Sequence, residues 1–255
     1  MFKKLICFIP LLLLSAGFNK PEIQQQINTD TNVTQNGSAL TSEISLQQAA
    51  LKNNSARNSV RNAAVSVVTT QGMGSGTYFK IGDHYIVITA YHVVQNQDVA
   101  IVVGRNNEQV YAEPIIKSTK GDIAVLLIPM LSSREPLRLK TLSDKDAKKI
   151  DKLIGKEVTY TGFPAHHDLL TVDGKIANVE DGYIIMHSYA WPGASGSGVF
   201  DFKGRLVGVV SAVDLGQWHP QIPPAIVEDM VWVSPSWDIS EKDIKKYLNN
   251  RGASK

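Results

Sequence analysis

The sequence predicts an all-β fold of two six-stranded antiparallel barrels followed by a C-terminal α-helix. The main observation is a series of short runs rich in valine and isoleucine, each bounded by turn residues. The runs fall into two sets, which a polar connector over Ser132–Asp151 separates. With 255 residues, 43% of them hydrophobic, the chain is long enough to bury a globular core of this kind.

The first set contains six candidate strands and predicts a first barrel over about 59–131. Gln109–Ile116 is the least regular of them, because Pro114 lacks the N–H group that a strand ladder needs. The other five are Val65–Thr69, Ser75–Phe79, Tyr85–Thr89, Val99–Val103 and Ile123–Ile128.

The second set predicts a second barrel over about 152–235 and a closing helix over about 240–250. Ser240 and Asp243 resemble an N-terminal capping pair, and Ile244, Tyr247 and Leu248 fall on one helical face. The six candidate strands are Glu157–Thr161, Leu169–Val179, Tyr183–His187, Gly198–Phe202, Leu206–Ala212 and Met230–Val233.

The N-terminus predicts a signal peptide over residues 1–18 and therefore a periplasmic or secreted protein. Lys3 and Lys4 precede an apolar run over Leu5–Phe18, with Ser15-Ala16-Gly17 as a small-residue cleavage site. The run is shorter than the roughly 20 apolar residues of a spanning helix, so we expect no stable membrane insertion after cleavage. An uncleaved anchor is the alternative. The one cysteine, Cys7, lies in this segment, so the exported chain would have no disulfide.

The segment over residues 19–58 is predicted to be a polar linker, since it is rich in Gln, Asn, Ser and Thr. Within it, the apolar spacing is compatible with a short helix over Ser42–Leu51. The chain has a net charge of +2, and its densest lysine cluster, Lys145–Lys152, is interleaved with aspartates. Such a cluster is typical of a solvated face, so we expect no nucleic-acid partner.

Three motifs carry residues suited to nucleophilic catalysis. His92 lies in Thr89–Val94, Asp122 follows Gly121, and Ser195 lies in the glycine-rich segment Pro192–Gly198. A serine hydroxyl needs an imidazole to remove its proton, and the imidazole needs a carboxylate to orient it. The three residues follow one another in the order His, Asp, Ser, which is one of the orders in which such triads occur. Their separations along the chain are 122 − 92 = 30 and 195 − 122 = 73 residues. Backbone N–H groups of Gly193 and Ser195 could form an oxyanion hole.

From about Val65 to Pro235 the chain resembles trypsin-like serine peptidases, in particular the bacterial HtrA-like and glutamyl-endopeptidase-like branch. Supporting motifs are Gly74-Ser75-Gly76, Gly162-Phe163-Pro164 and the segment Gly204–Val209. The resemblance implies a peptidase domain over 59–255 that hydrolyses proteins or peptides in the cleft between the barrels, without a metal or cofactor. Because 255 − 195 = 60 residues follow Ser195, we expect no PDZ domain. The oligomeric state stays open.

The resemblance also implies how substrate binds. Tyr189 and Ala190 would approach the specificity pocket, and Ser211, Ala212 and Val213 would pair with the substrate. No acid stands at the pocket-base position, where Tyr189 falls, which argues against cleavage after Lys or Arg. Because the implied pocket is mostly apolar, we expect cleavage after small or medium apolar residues. Relatives that are activated by cleavage have an acid just before the nucleophile, where this chain has Ala194. We therefore expect activity without N-terminal cleavage at the barrel.

Two other functions fit the same pattern. A catalytically inactive module of this fold could bind peptides in the cleft, and an esterase could use the same three residues. The nucleophile elbow of α/β-hydrolases, Gly-x-Ser-x-Gly, is absent around Ser195 because position 197 is serine. The histidines show no zinc-binding spacing, so we predict no metal site.

Overall fold

The computed structural model describes residues 50, 52–118, 121–216, 221 and 223–252. The chain divides into a unit over Met1–Ala49 and a unit over Ala50–Lys255, and all described residues belong to the second unit. The predicted signal peptide and most of the predicted linker therefore lie outside the described residues. So does the predicted helix over Ser42–Leu51, apart from Ala50.

The first barrel is a sheet of six antiparallel strands that closes because β1 pairs with both β2 and β4. The strands are Ala64–Thr69 (β1), Gly72–Ile81 (β2), His84–Thr89 (β3), Ala100–Val103 (β4), Gln109–Lys117 (β5) and Ala124–Ile128 (β6). Around the barrel their order is β1-β4-β5-β6-β3-β2. A short seventh strand, Leu137–Arg138 (β7), adds to β2 in parallel within the segment for which the sequence predicts a connector.

The second barrel is also closed and antiparallel, in the order β10-β13-β12-β11-β8-β9. Its strands are Glu157–Gly162 (β8), Leu170–Glu180 (β9), Tyr183–His187 (β10), Gly198–Asp201 (β11), Leu206–Gly216 (β12) and Ala225–Pro235 (β13). Asp181 and Gly182 make the two-residue turn between β9 and β10, and both have positive φ, as a tight hairpin turn requires. The prediction of two six-stranded antiparallel barrels is confirmed.

The predictions for two strands, β12 and β13, need correction. Both extend beyond the predicted Leu206–Ala212 and Met230–Val233, because the outer part of this hairpin is exposed or partly exposed and lacks the apolar run that marks a buried strand. β5 continues through Pro114, where the register against β6 shifts. This bulge lets a residue without an N–H group remain in the ladder.

Three clusters of buried side chains form the core. One fills the first barrel, one fills the second, and the third is shared by both barrels and the C-terminal helix. Consecutive residues of β2 are buried on opposite faces: Tyr78 belongs to the first barrel's interior and Phe79 to the shared cluster. The shared cluster includes Phe79, Ile86, Phe200, Leu206, Ile244 and Leu248.

Helices flank the barrels at both ends of the described chain. A helix over residues 52–63 (α1) includes the last part of the predicted linker, and its Arg57 forms a bidentate ion pair with Asp173 of β9. A short helix, Asp144–Ala147 (α2), lies in the connector. Among the described residues, no helix has the length and apolar content to cross a membrane.

The closing helix, Glu241–Gly252 (α3), confirms the C-terminal prediction. The Ser240 hydroxyl caps it by accepting a hydrogen bond from the Asp243 N–H at 3.1 Å. Ile244 and Leu248 are buried in the shared cluster, whereas Tyr247 is 39% exposed. The buried face of α3 is therefore narrower than the apolar face that the sequence predicts.

Candidate active site

His92 and Asp122 meet because two paired strands end and begin at the same end of the first barrel. Thr89, the last residue of β3, pairs with Ala124, the first residue of β6. His92 follows β3 in a 3-10 turn over Tyr91–Val93, and Asp122 precedes β6. As a result, His92 Nδ1 lies 2.6 Å from Asp122 Oδ2, and the His92 backbone N–H donates to Asp122 Oδ1 at 2.8 Å.

The surroundings of Asp122 favour its ionised form. Burial raises the pKa of its carboxyl group, but hydrogen bonds from His92 and Ser211, together with the charge on His92, outweigh burial and hold the pKa below its ordinary value. An ionised carboxylate can only accept hydrogen bonds, so the shared proton belongs to His92 Nδ1. In the neutral imidazole this tautomer leaves Nε2 with the lone pair that can accept a proton.

Two serines of the second barrel also bind Asp122. The Ser211 hydroxyl donates to Asp122 Oδ2 at 2.5 Å, and the Asp122 N–H donates to Ser234 Oγ at 3.0 Å. Ser211 lies where the register of β12 shifts between Val210 and Ala212, and such a bulge redirects a side chain. The sequence predicts Ser211 only as part of a substrate-binding strand. It gives no signal for Ser234, a single serine at the end of an apolar run.

Ser195 lies in the turn that leads into β11, and two glycines with positive φ shape this turn. The φ values are 101° at Gly193 and 93° at Gly196, a region that other residues rarely adopt. A Cβ atom at Gly196 would also overlap the carbonyl oxygen of Ser75 in the first barrel. Glycine at this position therefore permits both the turn and the close approach of the two barrels.

Three consecutive carbonyl groups, those of Pro192, Gly193 and Ala194, are held by hydrogen bonds. The contacts are Ala165 N–H to Pro192 O at 2.8 Å, Ser75 Oγ to Gly193 O at 2.7 Å and Ser197 N–H to Ala194 O at 2.9 Å. In a trans peptide the N–H points opposite to the C=O, so these contacts orient the N–H groups of Gly193 and Ser195 away from them. Neither N–H donates a hydrogen bond within the described part of the chain. Two such donors on one turn suit an anionic oxygen.

The backbone of Ser195 lies close to the segment that contains His92. The Ser195 carbonyl accepts a hydrogen bond from the Ser75 N–H at 2.7 Å. A Cβ atom at Gly74 would lie 2.9 Å from this same carbonyl oxygen and 2.7 Å from the side chain of Val93. The hydroxyl of Ser195, in contrast, forms no hydrogen bond with His92 among the residues that the structure describes. Such bonds are often long or misaligned before substrate binds.

Part of β12 offers an open edge beside this site. β11 pairs with β12 only as far as Val209, so from Ser211 onwards only β13 pairs with β12 within the described residues. Ala212 is exposed and Val213 is partly exposed. An open strand edge can bind an extended peptide as an additional strand.

Tyr189 and Ala190 differ in their access to solvent. Tyr189 is 37% exposed, and its carbonyl accepts a hydrogen bond from the Tyr160 hydroxyl at 2.5 Å. Ala190 is 1% exposed and belongs to the interior cluster of the second barrel, and its N–H donates to Glu228 O at 2.9 Å. Of the two residues, Tyr189 is therefore the one whose side chain can contact a ligand.

Comparisons with known proteins agree with this architecture. A family model described as a trypsin-like peptidase domain matches residues 74–209, more than half of the chain, and this range includes His92, Asp122 and Ser195. A curated relative, the probable periplasmic serine endoprotease DegP-like of Rickettsia conorii, is 25% identical over 153 residues. The alignment covers 57% of this chain but 30% of the relative, so the chain spans about three tenths of that protein.

Solved structures share the fold. The Rv3671c protease of M. tuberculosis in an inactive form superposes with a TM-score of 0.54 at 17% identity, covering 79% of this chain and 94% of that one. The serine endoprotease of Yersinia pestis gives a TM-score of 0.56 at 20% identity, covering 77% of this chain and 66% of that one. At these identities the likeness is one of fold.

Proposed function

We propose, since the chain belongs to the trypsin-like peptidase domain family, that it is a serine endopeptidase with Ser195 as nucleophile, His92 as general base and Asp122 as the orienting carboxylate. The observation that carries the proposal is the His92–Asp122 contact. It uses both carboxylate oxygens and leaves His92 Nε2 as the basic nitrogen. A partly buried imidazole held in this tautomer is what a serine nucleophile requires.

The reaction proceeds through an acyl-enzyme. When substrate binds, the Ser195 hydroxyl rotates into reach of His92, which removes its proton while Oγ attacks the carbonyl carbon. The resulting oxyanion accepts hydrogen bonds from the N–H groups of Gly193 and Ser195. His92 then gives the proton to the leaving amine as the C–N bond breaks, and water hydrolyses the ester by the same route.

Substrate binds in this proposal as an extended strand along the open edge of β12, at Ser211–Val213. Tyr189 lines the pocket for the residue before the cleaved bond, and this pocket accepts small or medium apolar side chains. Because Ala194 stands where cleavage-activated relatives have an acid, a new N-terminus would find no carboxylate partner there, and activity does not depend on cleavage at the barrel's N-terminus. The N-terminal segment directs the protein to the periplasm or the medium, and the Rickettsia relative is named as periplasmic.

Peptide hydrolysis by three proteins tests the proposal. Wild type, Ser195→Ala and Ser59→Ala are incubated with a peptide library, Ser59 being a serine of α1 whose hydroxyl donates to Ser55 O in the same helix. We expect wild type and Ser59→Ala to cleave after small or medium apolar residues, and Ser195→Ala to lose about 10⁶-fold in turnover. Peptide binding without cleavage by wild type would instead indicate an inactive binding module. Turnover of esters but not peptides would indicate an esterase.

A further inference from the structure

We infer that Ser75, on β2 of the first barrel, is a positioning residue for the oxyanion hole of the second barrel, an inference that rests on the proposed function. Ser75 is fully buried. Its hydroxyl donates to the carbonyl oxygen of Gly193 at 2.7 Å and accepts a hydrogen bond from the Phe163 N–H at 3.0 Å. Both polar capacities of the side chain are therefore used on loops that surround the nucleophile.

The contact with Gly193 falls on the peptide group that lies between the two proposed oxyanion donors. The preceding carbonyl, of Pro192, and the following carbonyl, of Ala194, are held by backbone N–H groups. The carbonyl of Gly193 is held by a side chain, so this contact depends on the identity of one residue. Without it, the middle peptide of this turn, whose first member is a glycine at φ 101°, would keep only the bond from the Ala194 N–H to Trp191 O at 2.9 Å within the described residues.

The loss acts on Gly193 because glycine has several accessible backbone conformations. In the observed conformation the N–H groups of Gly193 and Ser195 are both available as donors. Rotation about the backbone bonds of Gly193 changes the angle between these two N–H groups, so they no longer converge on one oxygen. The loss would therefore weaken stabilisation of the transition state more than binding of the ground state.

The backbone of Ser75 links the same turn to the segment of the general base. The Ser75 N–H donates to the carbonyl of Ser195 at 2.7 Å, and the Ser75 carbonyl accepts a hydrogen bond from Thr89 Oγ1 at 2.7 Å. Thr89 ends β3, three residues before His92. Ser75 thus connects the strand that leads to the base with both ends of the segment that carries the donors.

The test compares Ser75→Ala and Ser75→Cys with a matched control, Ser236→Ala. Ser236 is also fully buried, and its hydroxyl donates to the Leu206 carbonyl at 2.6 Å and accepts from the Leu142 N–H at 3.0 Å. The two serines therefore have the same kind of hydrogen bonds, but Ser236 does not contact the nucleophile turn. Steady-state kcat and KM are measured on a peptide that wild type cleaves, together with the affinity for a peptide boronic acid and for the matching peptide amide.

We expect Ser75→Ala to lower kcat by about 10- to 100-fold with KM changed less than about threefold. Affinity for the boronic acid, whose tetrahedral adduct uses the donors, should fall more than affinity for the amide. Ser75→Cys should be intermediate, since a thiol is a weaker donor. Ser236→Ala should lose similar thermal stability and keep its kcat.

A kcat of Ser75→Ala within about threefold of the Ser236→Ala value, or equal losses of boronic acid and amide affinity, would overturn the inference. If Ser75→Ala does not fold, the comparison of Ser75→Cys with Ser236→Ala decides by the same criteria. A wild type that cleaves no peptide and reacts with no fluorophosphonate refutes the proposed function itself. An active wild type with an equally active Ser75→Ala refutes only the role of Ser75.

Discussion

At the residue scale, the contacts of Asp122 require a carboxylate, because both of its oxygens accept hydrogen bonds. Oδ1 accepts from the His92 backbone N–H, and Oδ2 accepts from the His92 ring and the Ser211 hydroxyl. An amide in this position would have to direct its NH₂ group toward one of these donors, or force His92 into the other tautomer. The site therefore distinguishes a carboxylate from an amide of the same shape.

Asp122→Asn should consequently lower kcat by about 10⁴-fold with little change in KM, because the other tautomer presents a protonated Nε2 to the serine. Steady-state kinetics on a cleaved peptide measure this effect. The control is Asp173→Asn, which changes an aspartate on β9 that binds Arg57. A loss of less than tenfold in Asp122→Asn would contradict the assigned role of the carboxylate.

The sequence predicts the residues of this site better than their contacts. His92, Asp122 and Ser195 stand in distinctive motifs, and the pairing of β3 with β6 brings the first two together. Ser75 and Ser234 cannot be identified from the sequence, because their roles depend on how one barrel packs against the other. The position of Ala190 inside the second barrel also depends on packing, since the same residue pattern fits a pocket wall.

At the element scale, Glu108 holds the loop over 131–135 against the connection between β4 and β5. The Ser132 N–H donates to Glu108 Oε1 at 2.9 Å and the Ser133 N–H to Oε2 at 2.8 Å. Hydrogen bonds from the Ser133 side chain and from these two backbone groups lower the pKa of Glu108 from 4.5 to about 2. The Glu108 carboxylate thus fixes the position of this loop, as strand pairing does elsewhere in the barrel.

Glu108→Gln should destabilise the protein at pH 7, and the difference from wild type should shrink as the pH falls from 4.5 towards 2. A carboxyl whose pKa is lower in the folded state stabilises that state above its ordinary pKa and loses the effect as it becomes protonated. Urea unfolding of both proteins at pH 7, 5 and 3 measures this dependence. A difference that is constant with pH would contradict it.

The ends of a strand are predicted well only where both of its faces are buried, or where buried and exposed residues alternate regularly along it. β3 and β10 agree with their sequence patterns to within one residue, because their side chains pack into continuous cores. The outer halves of β12 and β13 are stabilised by pairing with each other rather than by burial, and composition does not record such pairing. The same open hairpin supplies the proposed substrate edge.

At the scale of the whole molecule, the shared core cluster joins the two barrels. Phe79 of the first barrel and Phe200 of the second lie with their ring centroids 6.3 Å apart, and both side chains are at most 2% exposed. Ile244 and Leu248 of α3 belong to the same cluster. Because the proposed catalytic residues come from both barrels, this cluster also sets the geometry of the cleft.

Phe200→Ala should cost about 3–5 kcal/mol of unfolding free energy, a large part of a typical total of about 5–15 kcal/mol. Since the cluster is shared, we expect tryptophan fluorescence, which reports the second half of the chain, and far-UV circular dichroism to shift together. Phe202→Ala, at a partly exposed ring beneath Arg57, is the control and should cost less. Separate transitions for the two signals would show that the barrels unfold independently.

In the proposed mechanism the base and the nucleophile act together across the two barrels. Mass spectrometry after reaction with a fluorophosphonate probe measures this cooperation, because it identifies the modified residue. We expect one adduct, on Ser195, which is lost in Ser195→Ala and forms at least about 10³-fold more slowly in His92→Ala. An unmodified wild type, an adduct on another residue, or a His92→Ala protein labelled as fast as wild type would show that His92 does not activate Ser195.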